Sequence, residues 1–203
     1  NTCLVRTDRR FKNCDKLVTY CDPSWKETKK NDFKAIVLVG MNGRYFDIYD
    51  CFVRQCTTPE MVRGHYALAD NIPQNKVCRN YMEANFMQDI HLKKYDDEAE
   101  SRGYSIAIRG DYRKKPDKVD RIENLSSYAE RGLLRFNQAM RHSPDMQELR
   151  QQFLGFPDYP HDDGPDAVEG AVYKLNKPRV GKSKGIKSGK IPHNMKRRLI
   201  DSL

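Results

Sequence analysis

"YPHDDGPDAVEGAVY" (residues 159–173) gathers four carboxylates, a histidine and a Gly-Pro pair, then runs into small and apolar residues. That run reads as a helix starting about 163–165 and ending about Leu175. Asp162, Asp163 and Asp166 therefore stand where the helix begins. Aspartate is favoured at helix caps and in first turns, which is one explanation. The other is a doubly charged cation. The D-x-D-x-D-G spacing of an EF-hand is absent, so this is not that kind of calcium loop.

Upstream of this stretch the pattern is that of a sheet with helices. LVTYCD (17–22) is a short apolar run that stops at Asp22-Pro23, as a strand should. FKAIVLVG (33–40) is β-branched and nearly continuous, the pattern of a buried strand. Asn42-Gly43 is a strong hairpin signal, and RYFDIYDCFVRQ (44–55) follows it as an alternating strand. Residues 17–55 thus read as a three-stranded antiparallel meander. Thr58 is the expected N-cap of a helix over 59–70 with Pro59 at its first position. KVCRNYME (76–83) reads as a fourth strand and YSIAIRG (104–110) as a fifth, with a helix over 86–101 between them. Helical patterns at 117–130 and 144–154 flank a short strand, LLRF (133–136). The order is mixed α/β rather than a strict βαβα alternation. Neither G-x-G-x-x-G nor G-x-x-x-x-G-K-[ST] occurs, so both nucleotide-binding fingerprints are missing.

Composition narrows the class. No run of 18 apolar residues exists to span a membrane, and the first residues lack the apolar core of a secretory signal. Six cysteines at 3, 14, 21, 51, 56 and 78 form no C-x-x-C pair, which argues against structural zinc and for reduced thiols in a cytoplasmic protein. The net charge is +9, but ten of the 37 Lys/Arg and one of the 28 Asp/Glu lie at 174–203. Residues 1–173 are therefore neutral, and the whole excess belongs to the tail. Residues 1–16 are expected to be a linker or the remnant of a preceding domain, 17–175 the folded unit, and 176–203 a flexible basic arm.

Three acids occupy special places in this layout. Asp22 ends the first strand, Glu83 ends the fourth, and Asp162/Asp163 open the last helix. Each has an ordinary reading alone: an Asp-Pro turn, a surface acid, a capping cluster. Together they read differently, because strand ends far apart in sequence converge in a sheet, and open α/β sheets keep their sites there. Converging carboxylates repel one another unless cations neutralise them. An all-oxygen set suits Mg²⁺ or Mn²⁺, and two such ions about 4 Å apart clamp the attacking and leaving oxygens of a phosphodiester.

Four stretches carry a resemblance to a known family: "YCDPSWKETKKNDFKAIVLVG", "MEANFMQ", "PDKVDRIENLSSYAERGLLRF" and "FLGFPDYPHDDGPDAVEGAVY". Over about residues 17–175 the chain resembles the C-terminal nuclease domain of large terminase subunits, the DNA-packaging motors of tailed bacteriophages. The last stretch, H-D-D-x-x-D-A entering a helix, is the most specific. The resemblance implies a ribonuclease H-like fold, a mixed central sheet flanked by helices. It also implies a metal-dependent endonuclease that cuts concatemeric double-stranded DNA, with two Mg²⁺ or Mn²⁺ ions as cofactors. Carried over by position, Asp22, Glu83, Asp162 and Asp163 become metal ligands, with Asp22, Glu83 and Asp163 catalytic. Asp166 faces either the same site or the helix N-terminus. His161 either orients a ligand or packs and caps.

Terminases also carry an ATPase with a phosphate-binding loop, which has no counterpart here; the chain reads as the nuclease domain of a longer protein. The implied partners are double-stranded DNA, that ATPase domain, the portal and the small terminase subunit, in the host cytoplasm and without a membrane. Arg113, Lys114, Lys115, Lys118 and Arg121 form a basic run that reads as phosphate contacts or as a solvated face. The tail grips DNA or docks on the portal, with KRRLI (196–200) able to form a short helix on contact. Two rivals stay open: a resolvase or ribonuclease H of the same fold group, and a non-enzymatic binding module whose acids are only caps.

Overall fold

The computed structural model describes residue 11 and residues 14–23, 33–84 and 89–177. Most of the expected linker and nearly all of the expected basic tail lie outside these residues. The described chain runs β1 (Lys16–Asp22), β2 (Phe33–Asn42), β3 (Tyr45–Gln55), α1 (Thr58–Asp70), β4 (Cys78–Glu83), α2 (Asp89–Arg102), β5 (Ile108–Asp111), α3 (Lys118–Glu130), β6 (Leu134–Phe136), α4 (Pro144–Gly155) and α5 (Asp163–Asn176).

The strands form one six-stranded sheet in the order β5-β4-β1-β2-β3-β6. β1, β2 and β3 are the antiparallel meander expected from the sequence. β4 joins β1 in parallel, β5 joins β4 in parallel, and β6 joins β3 in parallel. The central strands are apolar almost throughout because both faces are covered. Successive side chains go to opposite faces. Val18, Tyr20, Ala35, Val37 and Val39 meet α3, α4 and α5 on one side. Cys21, Ile36, Phe52 and Met82 meet α1 and α2 on the other. On that second side the buried His65 bridges the sheet to α2, with its Nε2 2.6 Å from Thr19 Oγ1 and its Nδ1 2.7 Å from the Tyr95 hydroxyl.

Local expectations shift at three points. The hairpin turn is Gly43-Arg44, with Asn42 still paired to Tyr45. Gly43 at φ +60° takes the first turn position, where a side chain would be strained. The α1 cap is Thr57 rather than Thr58, because Thr57 has Glu60 three residues on and the two close a reciprocal capping box. β5 is only four residues long, since 104–107 find no ladder partner. The five described cysteines, 14, 21, 51, 56 and 78, are free thiols. No helix among the described residues is long and apolar enough to cross a membrane.

Candidate metal centre

Asp22 and Glu83 are the last residues of two adjacent parallel strands, β1 and β4, whose register pairs Cys21 with Met82. Asp22 continues the row of Val18 and Tyr20, so it points to the face covered by α5. Glu83 is in the same phase as Tyr81, which packs against that same core. α5 crosses this face with its N-terminal half sunk among neighbours: Gly164, Pro165, Asp166, Ala167, Val168, Gly170 and Ala171 are all buried. Asp166, one turn into the helix, is thereby aimed at the ends of β1 and β4. Asp22, Glu83 and Asp166 each present a carboxylate oxygen, and the three oxygens lie within 4.8 Å of one another.

The electrostatics of this triad are uneven. Burial, then the charges of Asp166, Glu83 and Asp163, push the Asp22 carboxyl up to about 8. Burial opposes the charge of Asp166 too. Its hydrogen bond from Arg121 and the nearby Lys115 and Lys118 outweigh that and hold it below the usual carboxylate range. Asp163 rises to about 6, chiefly through burial. Asp163 thus flanks the triad and adds to the field at Asp22, but its oxygens are not part of the close group. Asp162 stands further out, is about one-third exposed, and accepts a 2.6 Å hydrogen bond from Lys118 Nζ. As the N-cap residue of α5 it makes no side-chain cap hydrogen bond. His161 stacks on Phe33 with ring centroids 4.4 Å apart and lies 6.3 Å from the Tyr159 ring.

The basic run does not form a solvent-facing strip. Arg121 is buried and its Nη1 donates to Asp166 Oδ1 at 2.6 Å and Glu169 Oε2 at 2.7 Å. Arg113 is half-buried, its side chain 8% exposed, paired with Glu169 and Asp111 and lying 4.0 Å from the Tyr173 ring centroid. Lys115 donates to Glu83 at 2.7 Å, and Lys118 reaches Asp162. Lys114 alone of the five is exposed. The physical cause is α5, which brings Asp166 and Glu169, one turn apart, against the loop after β5. Behind them Tyr20 donates to Asp111 Oδ2 at 2.9 Å, and Lys174 donates to Asp111 Oδ1. Of the two placements the sequence left open for Asp166, the structure has the one facing the strand ends; the partners Glu169, Asp111 and Tyr20 were not read from the sequence. A signal existed: small residues at 164, 167, 170 and 171 mean that acids between them face protein, not water.

No protein-family profile matches the sequence, and no curated protein matches it. Solved structures do. The human cytomegalovirus terminase nuclease domain superposes with a TM-score of 0.61 at 19% identity, over 83% of this chain and 87% of that one. A manganese-soaked form of the same domain gives 0.60 at 19% identity, over 81% and 84%. The large terminase nuclease of thermophilic phage G20c gives 0.53 at 13% identity, over 78% and 82%. Animal-virus and phage domains thus share one architecture with this chain, and the expected mixed sheet between helices is present. The described residues have the ribonuclease H-like fold of the terminase nuclease domains.

Proposed function

We propose that this chain is a divalent-metal-dependent DNA endonuclease, the nuclease domain of a viral DNA-packaging terminase. The observation that carries the reading is the Asp22–Glu83–Asp166 triad, three carboxylates on one face of a fold shared with terminase nucleases. The donor set fits a hard divalent cation: it is all oxygen, largely withdrawn from water, and its crowding shows in the raised Asp22 carboxyl. Mg²⁺ or Mn²⁺ suits it best, and the manganese-soaked cytomegalovirus domain points the same way. Bound there, metal would supply an activated water and charge neutralisation for phosphodiester hydrolysis.

The chain's own residues do the rest. Asp22 and Glu83, fixed by the β1/β4 ladder, would hold the cation at the strand ends. Asp166 closes the third side and is itself locked by Arg121, which keeps its carboxylate ionised and oriented. Asp163 and Asp162 line the approach and are available to a second cation. Lys114, which is exposed, and Lys118 would supply contacts to DNA phosphates, giving binding that depends on salt rather than on sequence. The ATPase, portal and small subunit of a packaging motor, acting in the host cytoplasm, complete the reading as partners of the longer protein.

Plasmid cleavage by the purified chain in EDTA, Mg²⁺ and Mn²⁺, beside Asp22→Asn checked for folding, tests this. Nicking and linearisation that need metal and disappear in the folded variant are expected. Equal behaviour of the two proteins would leave the acids as a structural cluster and the chain as a binding module.

A further inference from the structure

Lys115 lies in the loop between β5 and α3, with its side chain 13% exposed. Its ammonium donates to Glu83 Oε2 at 2.7 Å and stands 3.5 Å from Asp166 Oδ1. It lies 5.9 Å from the centroid of the Tyr20 ring. Neighbouring cations are anchored differently. Arg121 is held by Glu169 and the Pro116 carbonyl as well as by Asp166. Arg113 is held by Glu169 and Asp111, and Lys118 has Asp162 outside the triad. Both ion pairs of Lys115 are to members of the triad itself.

We propose that the Lys115 ammonium is the resident counter-ion of the Asp22–Glu83–Asp166 triad and is displaced when a divalent cation binds. The proposal rests on the metal-centre reading above and extends it to a residue that sets metal affinity. The oxygen lone pairs that receive an ammonium at hydrogen-bond distance are the ones a metal needs at about 2.1 Å. An ammonium and a divalent ion sharing two carboxylates repel strongly at such separations. Lysine is suited to leaving, being a compact charge on a flexible four-carbon stem, whereas the forked Arg121 is not. Lys115 therefore lets the domain fold with its acids neutralised before metal arrives, and it lowers the affinity for metal by competing for Glu83 and Asp166.

Calorimetric Mn²⁺ titration of the metal-free protein, with thermal unfolding in EDTA, separates the outcomes. Lys115→Met is expected to bind Mn²⁺ roughly tenfold tighter or more, as removal of a competitor requires. The same variant should melt below wild type in EDTA, and the gap should close at saturating Mn²⁺. Lys93→Gln, an equal charge change at an exposed position of α2, is expected to bind like wild type. If Lys115→Met does not fold, Lys115→Gln removes the charge while keeping a donor for Glu83. Mn²⁺ affinity that is unchanged or weaker in the Lys115 variants, with wild type binding normally, overturns the counter-ion role alone. Absence of Mn²⁺ binding in wild type and variants alike overturns the metal centre and this inference together.

Discussion

Gly170 in α5 rests directly on the Tyr20 ring in β1: a Cβ at position 170 would stand 2.3 Å from Tyr20 Cζ. Tyr20 is fully buried and its hydroxyl is tied to Asp111, so the ring has nowhere to go. This approach lets α5 sink onto the sheet and brings Asp166, one turn earlier, level with Asp22 at the end of the same strand. Helix seating and acid convergence are one geometric fact.

Gly170→Ala should therefore act at a distance. Overpacking of this kind costs about 1–3 kcal/mol, readable as a lower midpoint in urea unfolding, and Mn²⁺ affinity should fall with it as Asp166 withdraws from Asp22. A variant within about 0.5 kcal/mol of wild type, the scatter of inert surface changes, would mean that α5 is not pinned by this contact.

Arg121 distinguishes an inward from an outward basic run. It shares Asp166 and Glu169 on the buried face of α5. Removing one partner of a buried charge set is costly, so Arg121→Met should destabilise the domain by about 3–5 kcal/mol in denaturant titration. If Arg121 instead served DNA, the substitution would weaken DNA binding and leave the unfolding midpoint in place.

The two ends of the acid series are expected to differ. With folding verified, Asp166→Asn should lower metal-dependent cleavage by more than ~10²-fold, beyond the range typical of residues behind the ligands. Asp162→Asn, whose carboxylate is turned to Lys118, should stay within that range. Equal losses in a plasmid nicking assay would count against a triad centred on Asp166.

His65 gives the fold a pH signature away from the acids. Burial holds its imidazole at about 3, far under the ordinary value of 6.5. The unfolded chain thus takes up the proton first, and stability falls as pH drops from about 6.5 towards 3, by at most ~1.4 kcal/mol per pH unit. Since carboxylates titrate in the same window, the quantity to measure is the difference between wild type and His65→Gln in chemical unfolding at pH 7.5 and 5. A shallower slope in the variant is expected; identical slopes would show that His65 does not contribute.

Most of the framework was legible because it rests on local chemistry. Buried strands read as β-branched runs, Asp22 and Glu83 declare themselves as strand-end acids, and Asn42-Gly43 announces the hairpin even though the turn falls one residue later. What escaped depends on contacts distant in sequence. Arg113, Lys115 and Arg121 look like a solvent-facing run until α5 sets Asp166 and Glu169 beside them, some fifty positions away. Asp162 and Asp163 look central because they are consecutive and sit at a helix start. Helical geometry also aims Asp166, three residues on, at the ends of β1 and β4, a placement the sequence left open. The cap of α1 slipped by one for a similar reason: two adjacent threonines compete, and only Thr57 has a glutamate at the reciprocal position.

The most direct test of the metal centre is an anomalous difference map from crystals of the chain soaked in MnCl₂. It should show a manganese peak ligated by carboxylate oxygens of Asp22, Glu83 and Asp166, with the Lys115 ammonium moved away from Glu83. A map without a peak between β1, β4 and α5, or with manganese held by Asp162 and Asp163 while Asp166 stays bound only to Arg121, would contradict it.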